Sequence, residues 1–492
     1  MKHLKKIVSI LLTAVMVLAM CISVMATEGA TNTYTITAPD TNHQYEIYQI
    51  FTGNLHENTL SNIKWGNNGT GTKGEVVSEG VINALTAVNG KSDKEKLAVI
   101  KGYANLKTTP LTIISKKATY PAVAGYYLIK DVDKSLAGKD ESYTTYIVKV
   151  VGDVEITPKS NKPSSEKKVK DINDSTGVEL SWQDSADYDI GDKVPFQLKG
   201  TVASNYDDYT TYKFVFHDQE SAGLTFDKDS VKVYVGGKQI TSGYTVNTPA
   251  PDGDTFDVTF ANLKDITDVV AGSVITVEYE SQLNEHAVIG STGNPNNMHL
   301  EYSNNPNDAQ GGETGNTPND KVIVFTYKVT ANKTDANDVA LKGAAFALYK
   351  KDDTGAYQLV SVQNATENNG RYTLVNSETT EFNWAGLDDG EYKIVEVVTP
   401  AGYNTMEDLL FTVTAEHDVT SDDPRLTSLS GGNLFTGDVP SGTVTTAIKN
   451  YKGSELPETG GIGTTIFYVV GVVLMLGAGV LLITKRRMSA KH

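Results

Sequence analysis

The 492-residue chain contains one cysteine, Cys21, so no intramolecular disulfide can form. That cysteine lies in an uncharged run from Ile7 to Ala26, preceded by Lys2, Lys5 and Lys6 and ending in Val24-Met25-Ala26. A basic start, an apolar run and small residues at the end predict a secretory signal over residues 1–26, lost together with Cys21. Exported proteins commonly use disulfides as reinforcement, so a load-bearing role here requires another covalent device. Histidine is also scarce, with 8 scattered residues and no HExxH, CxxC, EF-hand loop or nucleotide-binding glycine motif. No metal and no cofactor is therefore expected. No nucleophile–base–orienter set or paired-carboxylate motif points to a secreted enzyme. Positive charge is short as well: 43 basic against 60 acidic residues, a formal charge of −17. Seven of the basic residues lie in the two ends, which leaves the region between them more acidic still. Such a surface repels nucleic acid and anionic membranes and excludes both as partners.

Charge is missing from a second stretch, Gly460 to Thr484. Within it, residues 464–483 supply about the 20 apolar positions that a helix needs to cross a bilayer. Lys485, Arg486 and Arg487 follow at once, the basic flank that stays cytoplasmic. Immediately before stand Leu456, Pro457, Glu458, Thr459 and Gly460. Pentapeptide, span and basic tail in this order resemble the sorting signal of Gram-positive surface proteins. The resemblance implies that a membrane transpeptidase, sortase, cleaves between Thr459 and Gly460 and passes the Thr459 acyl group to an amine. The expected protein is secreted and cell-wall anchored, with a precursor held transiently in the plasma membrane.

Between the two ends, apolar and polar residues alternate with period two. Val231, Val233 and Val235 share one strand face, as do Phe256, Val258 and Phe260, and Ile275, Val277 and Tyr279. Strands of this kind separated by Asp/Asn/Gly turns predict a mainly β chain of tandem immunoglobulin-like sandwiches. Residues 75–107 depart from that pattern. Val81, Leu85 and Val88 have helical spacing, and Ser92 with Glu95 forms a capping box opening a second short helix. The Pro/Ser/Lys-containing stretch 157–165 and the Asn/Gly/Pro-rich stretch 304–320 mark two breaks. The expected domains are 27–158, 159–320 and 321–451, followed by the spacer and anchor over 452–492.

The third domain contains Asn332-Lys333-Thr334-Asp335, Leu341–Tyr349, Gly390-Glu-Tyr-Lys-Ile-Val-Glu396 and Pro400-Ala-Gly-Tyr403 in order. It resembles the B-type repeat of collagen-binding adhesins. In that family a first-strand lysine joins a last-strand asparagine by an isopeptide bond, promoted by an acid. The resemblance implies Lys333, Asn450 and Glu396. The residue types suit the reaction, because burial lowers a lysine's pKa and raises a carboxyl's. A neutral amine can then attack an amide while the acid relays protons. The reaction is single-turnover self-processing, not catalysis on a substrate. The middle domain, with Phe214–Phe226, resembles the A-type adhesin domain. The corresponding set is Lys167, Asn304 and Asp218 as promoter, with Lys168, Asn305 and Glu280 as rivals. No such set is found in the first domain.

Val154-Glu-Ile-Thr-Pro-Lys159 resembles the pilin motif whose lysine accepts the next subunit's threonine. Lys162 is its rival. Tyr45–Phe51 and Gly125–Ile129 resemble the first domain of sortase-assembled backbone pilins. The expected function is the major subunit of a covalent pilus, Thr459 of one copy joined to Lys159 of the next. Head-to-tail joints of this kind do not close on themselves, so a filament results. The implied partners are other copies of the chain, a class C pilin sortase, a housekeeping sortase, minor tip and base pilins, and peptidoglycan. The alternative is a singly anchored adhesin that binds a host glycoprotein or matrix.

Overall fold

A computed structural model describes residues 32–159, 161–308, 311–453 and 462–489. The signal segment and Leu456–Gly460 lie outside the described residues.

The first unit pairs Thr59–Trp65, Tyr45–His56, Gly125–Asp131 and Thr145–Val150 in one sheet, opposed by a three-stranded sheet of Thr119–Val123, Thr33–Thr37 and Val154–Glu155. Ile36, Tyr45, Ile47, Tyr127, Ile129 and Val148 fill the space between them. The strand from Tyr45 buries residues of both parities, because its second face is also covered. The cover is a pair of helices, Glu79–Ala87 and Asp93–Lys101. Val81, Leu85, Leu97 and Ile100 pack on Tyr48, Ile50, Phe51 and Leu128. The second helix begins as its sequence predicts. Ser92 Oγ accepts from Glu95 N–H at 3.3 Å, and Ser92 N–H donates to the Glu95 carboxylate at 3.0 Å.

The middle unit is a sandwich with a five-stranded sheet of Lys238–Ile240, Leu224–Val235, Val274–Leu283, Lys193–Thr201 and Ser164–Val169. The opposing sheet runs Ser185–Asp187, Asp320–Phe325, Asn294–Ser303, Phe214–Glu220, Phe256–Phe260 and Thr245–Asn247, with Thr314–Asn316 paired to Asn294–Ser303. The alternating rows Val233/Val235, Phe256/Val258/Phe260 and Ile275/Val277/Tyr279 all enter its core. The break expected over 304–320 is therefore not a linker to the third unit. Part of it is a strand of the middle sheet, and Asp320–Phe325 continues that sheet beyond the expected boundary.

The third unit opposes a four-stranded sheet (Glu381–Leu387, Tyr327–Asp335, Thr443–Asn450, Thr436–Asp438) to a five-stranded one (Tyr357–Gln363, Ala345–Lys351, Gly390–Val398, Leu409–His417, Leu426–Ser430). Its first strand pairs in parallel with its last, with Lys333 opposite Ile448 and Asp335 opposite Asn450. A helix, Ile462–Ser489, follows, and residues 466–486 are long and apolar enough to cross a membrane. The large apolar side chains described along it are exposed to the surroundings rather than packed on the sandwiches.

Candidate cross-link sites and acceptor lysine

In the third unit, strand alternation sends Lys333 inward in the row of Val329 and Ala331. Asn450 follows Val444, Thr446 and Ile448, and Glu396 follows Tyr392 and Ile394 from the facing sheet. Three polar residues thus occupy core positions at one end of the sandwich, with exposures of 1%, 1% and 6% for Lys333, Asn450 and Glu396. Asn450 Nδ2 donates to both Glu396 oxygens, at 2.8 and 2.9 Å. Met406 N–H and Thr399 Oγ donate to Glu396 Oε2 at 3.0 and 3.3 Å, which fixes the carboxyl group. Lys333 Nζ donates to the carbonyls of Ile448 and Thr334, at 3.1 and 3.0 Å. Burial holds this lysine below the usual range, with the Glu396 charge opposing. Asn450 Oδ1 is buried without a donor. Rotating the amide by half a turn would place that oxygen, in place of the nitrogen, against Glu396.

The middle unit brings Lys167 and Asp218 together, both fully buried, in direct contact from opposite sheets. Desolvation pulls the lysine down and pushes the aspartic acid up, each opposed by its partner's charge. Both trends favour an uncharged amine beside a neutral acid. The Tyr279 hydroxyl accepts from Lys167 Nζ at 2.9 Å and donates to Asp218 at 2.9 Å. It also accepts from Asn296 Nδ2 at 2.9 Å. Glu220 lies against Ser281, and its carboxyl is pushed up to about 8 by burial and by Asp218.

Asn304 is not at this site. It has the parity of Asn296, Met298, Leu300 and Tyr302 but stands just past the strand's last residue, Ser303, eight residues beyond Asn296 and roughly 27 Å away at strand rise. Its amide instead donates to the carbonyls of Leu136 and Glu141 in the first unit, at 2.9 and 3.1 Å. The amide joined to Lys167 and Asp218, through the Tyr279 hydroxyl that both contact, is that of Asn296. The rivals are placed elsewhere too. Lys168 contacts Asp184, Asn305 donates to Glu313, and Glu280 faces Lys193. Asn296, Tyr279 and Glu220 were missed in the sequence. Their inward parity was legible, but which end of each strand meets Lys167 was not.

Lys159 closes the first unit. Val154–Glu155 pairs in parallel with Thr33–Thr37, Ile156 N–H donates to Thr37 O at 2.8 Å, and Lys159 N–H donates to Thr144 Oγ at 2.9 Å. Its side chain is about a third exposed, with Nζ 4.0 Å from Asp208 of the middle unit. The Lys162 ammonium is engaged by Asp140, donating to its carbonyl at 3.1 Å and contacting its carboxylate.

Three sequence families match in order. Residues 190–306 match a Gram-positive pilin backbone subunit 2, Cna-B-like domain; residues 327–425 match SpaA, a prealbumin-like fold domain; residues 448–489 match the LPXTG cell wall anchor motif. The middle-domain family is thus described as Cna-B-like, where the sequence reading has an A-type domain. The trypsin-resistant surface T6 protein of Streptococcus pyogenes serotype M6 is 29% identical over 397 residues, covering 67% of this chain and 70% of that protein. The solved T6 backbone pilin of serotype M6 Streptococcus pyogenes, described as a modular three-domain structure, is similar in fold. Its TM-score is 0.53 at 19% identity, and the match covers 87% of this chain and all of that one. With a pilin-backbone domain, a prealbumin-like domain and a cell-wall anchor motif in succession, this chain belongs to the backbone pilins of Gram-positive bacteria, the structural subunits of cell-surface pili.

Proposed function

We propose that this backbone subunit is polymerised covalently, with sortase joining Thr459 of one copy to Lys159 of the next. Two internal isopeptide bonds, Lys333–Asn450 and Lys167–Asn296, stiffen each copy, promoted by Glu396 and Asp218. In each reaction the lysine Nζ forms a bond to the asparagine Cγ, the Cγ–Nδ2 bond breaks, and ammonia leaves with the transferred proton. The units span residues to about 158, then to about 326, then to about 451. The carrying observation is that each buried lysine, amide and acid set links a unit's first strand to one of its late strands. The acceptor assignment is supported by the position of Lys159 at a unit junction, just after a docked strand, with an ammonium that no carboxylate among the described residues holds closer than 4.0 Å. Other pilins and peptidoglycan are the remaining covalent partners.

The test is a boiled SDS gel of cell-wall extract from cells expressing the chain. Lys159→Ala is expected to abolish the high-molecular-weight ladder while the monomer is still exported, and Lys162→Ala to preserve it. A ladder lost only in Lys162→Ala would move the acceptor. A ladder persisting in the double variant, or a single wall-linked band in the unaltered protein, would overturn polymerisation through this junction and favour a lone wall adhesin.

A further inference from the structure

Asp140-Glu-Ser-Tyr-Thr144, the segment that leads into the strand Thr145–Val150, has no part in the cross-link chemistry. It lies instead along the linker that carries Lys159 and Lys162, and the two run antiparallel. Lys159 N–H donates to Thr144 Oγ at 2.9 Å, and Ser142 Oγ donates to the Asn161 carbonyl at 2.6 Å. Lys162 Nζ donates to the Asp140 carbonyl at 3.1 Å and contacts the Asp140 carboxylate. The strap thus holds Lys159 by its backbone and Lys162 by its ammonium.

Both neighbouring units brace the strap. From the middle unit, Asn304 Nδ2 donates to the Glu141 carbonyl at 3.1 Å, and the Asn304 carbonyl accepts from Tyr143 N–H at 2.9 Å. The buried Tyr302 hydroxyl donates to Asp140 Oδ1 at 3.0 Å. In the first unit, Asp131 Oδ2 accepts from Thr144 N–H at 2.7 Å, and the buried His43 Nδ1 stands 3.0 Å from Oδ1 of the same aspartate. The Asp140 carboxylate is therefore fixed, with Oδ1 taken by Tyr302 and Oδ2 turned to Lys162. Exposure does not favour Lys159, whose side chain is 34% exposed against 41% for Lys162. The carboxylate is what separates them, because Lys159 Nζ comes only within 4.0 Å of Asp208. An exposed ion pair alone favours the paired state by about fivefold at most. Here the hold is tighter, because the carboxylate is already in place and a carbonyl shares the ammonium.

We propose that Asp140 selects the acceptor: it keeps the Lys162 ammonium on the strap and leaves Lys159 as the amine within reach of an incoming acyl group. This rests on the reading that sortase passes Thr459 to this linker. In that transfer the accepting Nζ, as the free amine, bonds to the Thr459 carbonyl carbon. The bond from that carbon to the enzyme's thiol sulfur breaks, and the amine proton leaves with the thiolate. Lys162 must first give up its carboxylate, so it enters the reaction more slowly. Asp140 touches neither the acyl group nor the amine of Lys159, which makes it a specificity residue rather than a catalytic one.

The test is a gain of acceptor. Asp140→Asn keeps an amide oxygen for the Tyr302 hydroxyl and turns an NH2 group, which cannot accept from an ammonium, toward Lys162. In cells whose ladder is lost through Lys159→Ala, adding Asp140→Asn should restore it, with tandem mass spectrometry finding Thr459 joined to Lys162. Adding Lys162→Ala as well should remove it again. A Lys159→Ala/Asp140→Asn chain that is exported and melts like the parent yet forms no ladder would overturn the selection. A second measurement needs neither enzyme nor substitution. The full-length chain in detergent is treated with a limiting amount of an acetylating N-hydroxysuccinimide ester, and each lysine is read by peptide mass spectrometry. Lys159 is expected to label about fivefold faster than Lys162, or more, despite its lower exposure, and Asp140→Asn should level the two. Equal labelling in the unaltered chain would overturn the role of Asp140. Unequal labelling in a chain that forms no ladder would instead uphold the hold on Lys162 and refute polymerisation through this linker.

Discussion

Glu220 shows how one carboxyl inherits its behaviour from burial. It is enclosed near Asp218, with Ser281 Oγ as a donor and Asn296 Nδ2 3.4 Å away. Its ordinary value of 4.5 is pushed up to about 8 by desolvation first and the Asp218 charge second, with Lys167 opposing. Once Lys167 has become a neutral amide, that opposition disappears. A folded-state value above the unfolded one means that the native protein holds a proton which the unfolded chain releases. The stabilisation is complete below pH ~4.5 and is lost as pH rises through about 8. Glu301, held at about 2 by contacts with His217, Lys213 and Thr314 against the burial penalty, has the opposite sign, but its window closes below 4.5. The middle unit is therefore expected to melt at falling temperature as pH rises from about 5 to about 8 and to level off above. Glu220→Gln should flatten this slope in a calorimetric pH series, and an unchanged slope would show that the group does not titrate there.

At the scale of elements, strand parity and strand end play different parts. Asn296 lies in the strand Asn294–Ser303 and Asn304 directly follows it with the same parity, so parity alone cannot choose between them. The antiparallel pairing of Phe214–Glu220 with Asn294–Ser303 sets Asp218 opposite Met298 and Glu220 opposite Asn296, at the end near Lys167. The other end belongs to the junction with the first unit. There Tyr143 N–H donates to Asn304 O at 2.9 Å, and Tyr302 OH donates to Asp140 at 3.0 Å. Gly315 is required at this junction, since a Cβ would stand 2.2 Å from the Lys139 carbonyl oxygen. Each isopeptide bond expels one ammonia, so the intact mass should fall about 34 Da below the sequence mass of the processed chain. Asn296→Ala should restore about 17 Da of this by the same stoichiometry. Asn304→Ala should leave the deficit whole while weakening the first junction through loss of two amide hydrogen bonds. A deficit that disappears with Asn304→Ala instead would reverse the assignment.

For the whole molecule, the proposed cross-links would decide which residues carry load. With the proposed bonds in place, tension entering at Thr459 would cross from Asn450 to Lys333, follow the chain back to Asn296, cross to Lys167 and leave at Lys159. The loops bypassed between the bonded residues, more than 110 residues each, do not have to resist force through hydrogen bonds. By the chain-entropy account of cross-links, closing a loop of that size contributes about 5 kcal/mol. The first unit, whose strands all precede Lys159, lies outside the path. In single-molecule pulling between positions 159 and 459, the unaltered chain should show no long unfolding step. Glu396→Ala, which removes the proposed promoter in the third unit, should release one step on the order of 40 nm, the extended length of the freed loop. A long step in the unaltered chain would contradict covalent bypass.

The sequence by itself determined the anchor, the β class and the two helices with their capping box, and its resemblance to the B-type repeat singled out Lys333, Glu396 and Asn450. Each is a local matter of hydropathy, period or chain order. In the third unit this sufficed, because the functional asparagine ends the last strand and parallel pairing brings it beside the first. Only the tertiary structure decided the rest. Which end of a strand faces Lys167 depends on the register and direction of strands some 50 to 130 residues apart. That register selected Asn296 over Asn304, recruited Tyr279 and Glu220, and carried the middle sheet on to Phe325. The scattered aspartates gave no local signal either. Asp140 and Tyr302 are 162 residues apart and become neighbours only when the first two units meet, because a hydrogen bond depends on distance in space and not along the chain.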